Sequence, residues 1–227
     1  MERPFNEDQL TEALRAISPE GCAVAVLSIC GERESVFSEE FAPLRGAPRH
    51  RQQEFLCGRA CARAALSGLG GGGGPIKMDA ERVPVWPKPF LGSIAHSKGF
   101  GAAVAARNSE IGAIGVDLER IDRLSAKAQQ RVVHPDERSF VKGEQRRATV
   151  LFSVKEAFFK MQYPIWRRAA NFPDLVLEAE DAEEEPRIRI AELGECFSEA
   201  LRAQAAGVQI RCRYVDPFVV SICWMPA

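Results

Sequence analysis

A mainly antiparallel α+β fold is expected from three features of the 227-residue sequence. Each half of the chain holds one long stretch with helical apolar spacing. Short β-rich runs surround these stretches in groups instead of alternating with them one by one, so parallel βαβ units are not expected. Neighbouring runs are joined by tight turn chemistry, which favours antiparallel pairing.

The first β-rich run is "CAVAVLSIC" at 22–30. Next, "RQQEFLCGRACARAALSGLG" places Phe55, Gly58, Ala62, Ala65, Leu66 and Leu69 at helical spacing, with Arg59 and Arg63 flanking that stripe. The glycines at 70–74 end this helix and read as a flexible loop. A phosphate-binding reading of them lacks the helix and Lys-Ser or Lys-Thr that complete a P-loop. Strands are expected at "GAAVAA" (101–106) and "IGAIGVDLE" (111–119). The second helix lies in "RRATVLFSVKEAFFKMQYP", where Leu151, Val154, Phe158 and Met161 form the stripe and Pro164 marks the end. Further strands follow at 174–180, 187–193, 208–214 and 218–224; Asp216 and Pro217 turn between the last two. The acid run Glu183 to Glu185 reads as a solvated loop.

Composition excludes several classes of function. With 46% apolar residues the chain can bury a real core, and 30 Lys plus Arg against 31 Asp plus Glu leave no global field for nucleic acid or an anionic membrane. No apolar run reaches membrane-spanning length. The charged start "MERPFNEDQL" lacks the apolar region of a signal peptide, so a cytoplasmic location is expected. The seven cysteines (Cys22, Cys30, Cys57, Cys61, Cys196, Cys212 and Cys223) contain no CxxC pair, and there are three histidines; small buried thiols are expected, not zinc ligands or disulfides.

The strand at 111–120 raises a chemical question. Alternation puts Ile114, Val116 and Leu118 on one face and Ala113, Gly115, Asp117 and Glu119 on the other. The second face leaves room above Gly115 and sets two carboxylates about 7 Å apart along one side. Such a pair suits a hard cation such as magnesium, which takes oxygen ligands from carboxylates, waters and substrate phosphates. The alternative is a strand end entering solvent, with Glu119 paired to Arg120 or Arg123.

On the second helix Glu156 and Lys160 stand at i and i+4 beside the apolar stripe, flanked by aromatics, and Lys155 is one position away. A surface ion pair is the plain reading. Placed near the strand carboxylates, the same residues would instead complete a magnesium and diphosphate site. His96 in "GSIAHSKGF" is either a structural histidine or a donor to phosphate.

These residues carry a family resemblance. "GVDLE" followed about 35 residues later by "FSVKEAFFK" resembles the paired signature of 4'-phosphopantetheinyl transferases. "RQQEFLCGRACARAAL" and "PVWPKPFLGSIAHS" are similar to the bacterial branch of the enterobactin synthase component D and Sfp type. The likeness spans roughly residues 50 to 173. It implies two pseudo-symmetric halves, each a mainly antiparallel sheet packed with a long helix, and an active site in the cleft between them. Residues 1–110 would then bind coenzyme A phosphates, and 111–227 would hold the magnesium and catalytic motifs.

Residue by residue, the resemblance implies that Asp117, Glu119 and Glu156 are magnesium ligands and that either Glu156 or a metal-bound water is the base. It makes Lys160 the residue at the leaving phosphate, with Lys155 in a catalytic position before the glutamate. His96 corresponds to a coenzyme A phosphate contact, and Arg51 and Arg59 to binders of the 3'-phosphate. A further basic contact falls to Lys77 or Arg82. Ala95 departs from the Ser or Thr of many relatives, and Phe152 stands in place of a tryptophan.

The expected function is therefore magnesium-dependent transfer of 4'-phosphopantetheine from coenzyme A to a serine of an acyl or peptidyl carrier protein, an activity of the holo-[acyl-carrier-protein] synthase type. A monomer without nucleic-acid or membrane partners is expected. Carriers of this kind tend to be acidic, which makes Lys142, Arg146 and Arg147 candidates for a docking patch. The rival readings are a non-catalytic coenzyme A or nucleotide-binding module and a metal-dependent phosphohydrolase.

Overall fold

The computed structural model describes residues 7–29, 37–41, 44 and 46–227. Cys30, at the end of the first expected strand, lies outside them. In chain order the elements are α1 (Glu7–Ile17), β1 (Ala23–Ser28), α2 (Ser38–Phe41), α3 (Arg49–Gly68), β2 (Lys77–Met78), β3 (Pro84–Val85), β4 (Phe90–Ser97), β5 (Phe100–Arg107) and β6 (Ile111–Arg120). There follow α4 (Ala126–Val132), α5 (Arg138–Val141), α6 (Gln145–Trp166), β7 (Leu175–Glu180), β8 (Arg187–Leu193), α7 (Glu199–Ala203), β9 (Gln209–Val215) and β10 (Phe218–Pro226).

The α+β architecture repeats one plan twice. A strand, a long helix and a hairpin form an antiparallel sheet of order β1-β5-β4 in the first half and β6-β10-β9 in the second. Alternation along the strands explains the layering. Ala102 and Val104 of β5 and Ile114, Val116 and Leu118 of β6 meet between the sheets, together with Leu10, Leu14 and Ile17 of α1. The opposite face of β5, Ala103 and Ala105, packs under α3 with Cys61, Ala62 and Leu66. On the other side Val219 and Cys223 of β10 pack under α6 with Leu151, Val154 and Phe158. The order is thus α3, sheet, sheet, α6, with alanines on β5 allowing the first sheet to be approached closely from both sides.

Three sequence expectations need correction. Helix α6 continues through Pro164 to Trp166 and ends at Arg167, a left-handed residue with φ 52° whose N–H donates to Tyr163 O. Proline in the last turn forgoes a hydrogen bond there without breaking the helix. Glu184 and Glu185 are not merely solvated, because both pair with Arg213 and the Glu184 carbonyl accepts from Tyr214 N–H. Of the described cysteines, Cys57, Cys61, Cys212 and Cys223 are buried, whereas Cys196 is exposed and Cys22 half-buried. Burial pushes the Cys212 thiol up to about 12 and Cys22 to about 11, so neither offers a ready thiolate.

Candidate functional site

Strand β6 is buried on both faces, so Asp117 and Glu119 are 3% and 4% exposed rather than at a solvated strand end. Carboxylates are rarely buried this far without a compensating cation. The space expected above Gly115 is filled by α6: a Cβ there would lie 1.9 Å from the Ala157 carbonyl oxygen and 2.5 Å from Met161 N. Glycine lets helix and strand approach backbone to backbone. That approach brings the Glu156 and Lys160 turn of α6 over the acidic end of β6.

Lys160 Nζ donates to Asp117 Oδ1 at 2.5 Å. Its side chain remains 27% exposed, facing the cleft. Glu119 accepts from Arg123 at 2.7 and 2.9 Å and from the Ser97 hydroxyl at 3.2 Å. Pairing with Arg123 therefore occurs, but in a buried setting. Burial, reinforced by the Asp117 charge, pushes the Glu119 carboxyl up to about 7. Burial also raises Glu156, with Asp117 adding to it and Lys160 opposing it. The neighbouring carboxylates Asp117, Glu156 and Glu119 outweigh desolvation at Lys160 and raise its ammonium, so it keeps its proton at neutral pH.

The first half supplies the facing wall through β4, a strand missed in the sequence because its run is short of large apolar residues. Ser93, Ala95 and Ser97 turn inward; the Ser93 hydroxyl accepts from Val116 N–H at 3.1 Å and so joins β4 to β6. His96 points the other way, toward α3. Its Nε2 lies 3.3 Å from Arg51 Nη1 and 3.2 Å from the Glu54 carboxylate, which Arg51 holds at 2.7 Å. Burial lowers the His96 pKa, Glu54 opposes this, and Lys160 and Arg51 lower it further. Lys160 and Asp117 also act on the His96 charge, in opposite senses. Alternation within "GSIAHS" is the signal that would have identified Ser93 and Ser97.

Arg59 is 4% exposed, not a surface residue of α3. Its guanidinium lies 4.2 Å over the Phe55 ring, and its buried Nε has no hydrogen-bond partner among the described residues. Burial brings its pKa down to about 10, with Glu40 opposing and Arg63 adding. Lys77 on β2 is exposed and contributes to lowering the pKa of Glu39, while Arg82 occupies the β2–β3 turn at φ 66°.

Lys155 does not join the cleft. One step along α6 from Glu156 turns it about 100° away, and its ammonium is buried against Glu137 at 2.8 Å, Val132 O at 2.9 Å and Phe172 O at 3.1 Å. Glu137 also accepts from Leu177 N–H and His134 N–H. The pair therefore ties α4, α6 and β7 together. Arg146 and Arg147 are likewise engaged, with Asp216 and Asp181 respectively, which reduces the free positive charge of the expected docking patch.

An apolar pocket of about 300 Å³ opens beside Lys160. Residues of the β2–β3 turn, Trp86, Ile94, Ile114, Phe159 and Tyr163 line it, so both halves contribute walls. Glu81, Arg82, Ser93 and Lys160 add polar groups to this lining, so the pocket can hold a chain that is partly apolar and partly polar.

Among the described residues no three His, Cys, Asp or Glu side chains close on one point as a ready-made metal centre. The donor set nonetheless fits a hard dication completed by substrate oxygens: the buried Asp117 Oδ2 has no hydrogen-bond partner among the described residues, and Glu119 and Glu156 are destabilised as anions by burial.

Comparison with known proteins gives matches to two family descriptions. Residues 39–106 match the 4'-phosphopantetheinyl transferase N-terminal domain, and residues 113–223 match the 4'-phosphopantetheinyl transferase superfamily. The 4'-phosphopantetheinyl transferase Svp of Streptomyces mobaraensis is 36% identical over 148 residues, covering 63% of this chain and 60% of that protein. PptT of Mycobacterium tuberculosis is 33% identical, covering 55% and 56%. Enterobactin synthase component D of Salmonella typhi is 32% identical, covering 52% and 50%. The matched regions thus span between half and three-fifths of these curated relatives.

Proposed function

The chain belongs to the 4'-phosphopantetheinyl transferase superfamily, and from that premise we propose that it moves 4'-phosphopantetheine from coenzyme A to a serine hydroxyl of an acyl or peptidyl carrier protein, leaving adenosine 3',5'-bisphosphate. The holo-[acyl-carrier-protein] synthase reaction is one form of this activity. The observation that carries the reading is Lys160 held at 2.5 Å from Asp117 among buried carboxylates, at the mouth of an apolar pocket. The pantetheine arm fits that pocket. Its diphosphate then reaches Lys160, with His96 contacting a phosphate, Arg51 and Arg59 serving the 3'-phosphate, and Lys77 or Arg82 supplying a further basic contact.

The reaction forms a bond from the serine oxygen to the β-phosphorus and breaks the bond from that phosphorus to the bridging oxygen. Glu156 accepts the serine proton, and burial of its carboxyl favours the protonated form that results. Lys160 stays protonated and supplies positive charge to the departing oxygen. Asp117, Glu119 and Glu156 would hold magnesium, which when bound neutralises phosphate charge as a Lewis acid. A non-catalytic coenzyme A clamp would have no use for three carboxylates facing a diphosphate.

The test is mass analysis of several apo carrier proteins after incubation with this protein, coenzyme A and magnesium. Gain of the phosphopantetheine mass is expected. No gain on any correctly folded carrier, or hydrolysis of coenzyme A without transfer, overturns the proposal.

A further inference from the structure

The pocket beside Lys160 has a polar fastening on its outer rim. Arg167 extends its fork to two carboxylates of the other half: Nη2 lies 2.7 Å from Asp79 Oδ2, and Nη1 lies 2.9 Å from Glu81 Oε2. Asp79 serves two purposes with its two oxygens. Oδ1 accepts from Glu81 N–H at 3.0 Å and Val83 N–H at 2.9 Å, shaping the β2–β3 turn, while Oδ2 faces Arg167. The turn so held contributes Glu81, Arg82, Val83 and Pro84 to the pocket wall.

Across the pocket, the end of α6 forms the opposite wall. The Arg167 guanidinium lies 5.8 Å over the Tyr163 ring, and Tyr163 stacks on Phe159 at 5.0 Å. Both rings line the pocket, and Phe159 precedes Lys160. Two non-glycine residues, Arg82 and Arg167, hold left-handed backbone on the two sides of this fastening. Such conformations persist where surrounding contacts over-determine them, and they concentrate at ligand clamps.

We infer that Arg167 is a positioning residue that clamps the β2–β3 turn of the first half against the end of α6, fixing the width of the pocket and hence the hold on the donor's pantetheine arm. The inference rests on the proposed coenzyme A reading of that pocket. Arg167 does not touch the diphosphate in this arrangement; it acts through residues 81–84, Tyr163 and Phe159. Because its side chain is 38% exposed, the clamp is open to screening by salt.

The experiment measures coenzyme A binding by titration calorimetry, and transfer kinetics on an apo carrier, for Arg167→Gly, Arg167→Lys and the double variant Asp79→Asn, Glu81→Gln. Glycine suits the left-handed helix end, and asparagine retains the oxygen that shapes the turn, so the backbone is kept in each. Loss of two half-exposed pairs predicts roughly tenfold weaker coenzyme A binding and a matching rise in KM, with kcat within about twofold. Lysine, which cannot fork to both carboxylates, is expected to lie between. Wild-type affinity should fall with added salt, and the affinity of the glycine variant should change less. Unchanged affinity in both the glycine and double variants overturns the clamp, as does a fall in kcat at constant KM. A wild-type protein that binds coenzyme A without transferring it would instead refute the proposed function and leave the clamp measurable by titration; one that does not bind it refutes both.

Discussion

Replacing Gly115 with alanine should separate the two elements that build the site. The added Cβ would lie 1.9 Å from the Ala157 carbonyl oxygen, and backbone on both sides prevents an easy escape. Ordinary contact begins near 3.4 Å, so α6 must retreat by about 1.5 Å. Overpacking of this kind costs about 1–3 kcal/mol, which for a chain of this size lowers Tm by roughly 3–10 °C. The same retreat stretches the 2.5 Å contact between Lys160 and Asp117 beyond hydrogen-bond reach. Misplacement by about 1 Å can cost on the order of 100-fold in rate. The proper control is Gly73→Ala in the loop after α3, whose Cβ meets nothing within 4 Å, so its net effect should be small. Thermal melts and the carrier-mass assay on both variants decide the matter. A Gly115→Ala protein with wild-type Tm and rate would refute the close approach of α6 to β6 as the device that assembles the site.

Three further outcomes are expected. Glu156→Gln should reduce kcat by about 100-fold or more while the melting curve stays close to wild type, and Lys160→Ala should reduce kcat as much and also lower Tm, because it takes the ammonium from the buried Asp117; turnover at the native rate removes that residue from the mechanism. Lys155→Met should act through stability instead, costing about 3–5 kcal/mol because Glu137 is left as a buried unpaired acid, and a denaturant titration reads it. Glu119 and Glu156 bind protons more tightly in the folded than in the unfolded chain, so their contribution to metal-free stability falls as pH rises through the span from the usual carboxylate range to about 7. Magnesium should accordingly raise Tm more at pH 8 than at pH 6, and an equal shift at both values would count against carboxylate ligation.

Much of the site was legible because strand and helix periods are local. Asp117 and Glu119 share a face at a period of two, and Glu156 and Lys160 share one at i, i+4. Strand β4 was harder to read: "FLGSIAHS" is dominated by small and polar residues, and its inward serines bond to β6 instead of filling a core. Helix α1 was missed although Leu10, Ala13, Leu14 and Ile17 carry its period, because its flanks are strongly charged. Lys155 shows the reverse error. Its place beside Glu156 in sequence suggested a shared role, but the helix turns it toward Glu137, Val132 and Phe172.

The order of small and acidic residues on one strand, and of acid and base on one helix, was determined by sequence alone, since neighbours a few residues apart have their relative directions set by backbone geometry. What only the tertiary structure decided is how those surfaces meet. Gly115 gives up its side chain so that α6 can descend onto β6, Lys160 crosses to a carboxylate 43 positions away, and Arg167 reaches Glu81 across 86. Contacts over such separations depend on how two sheets and two helices pack, and no local period in the chain encodes that.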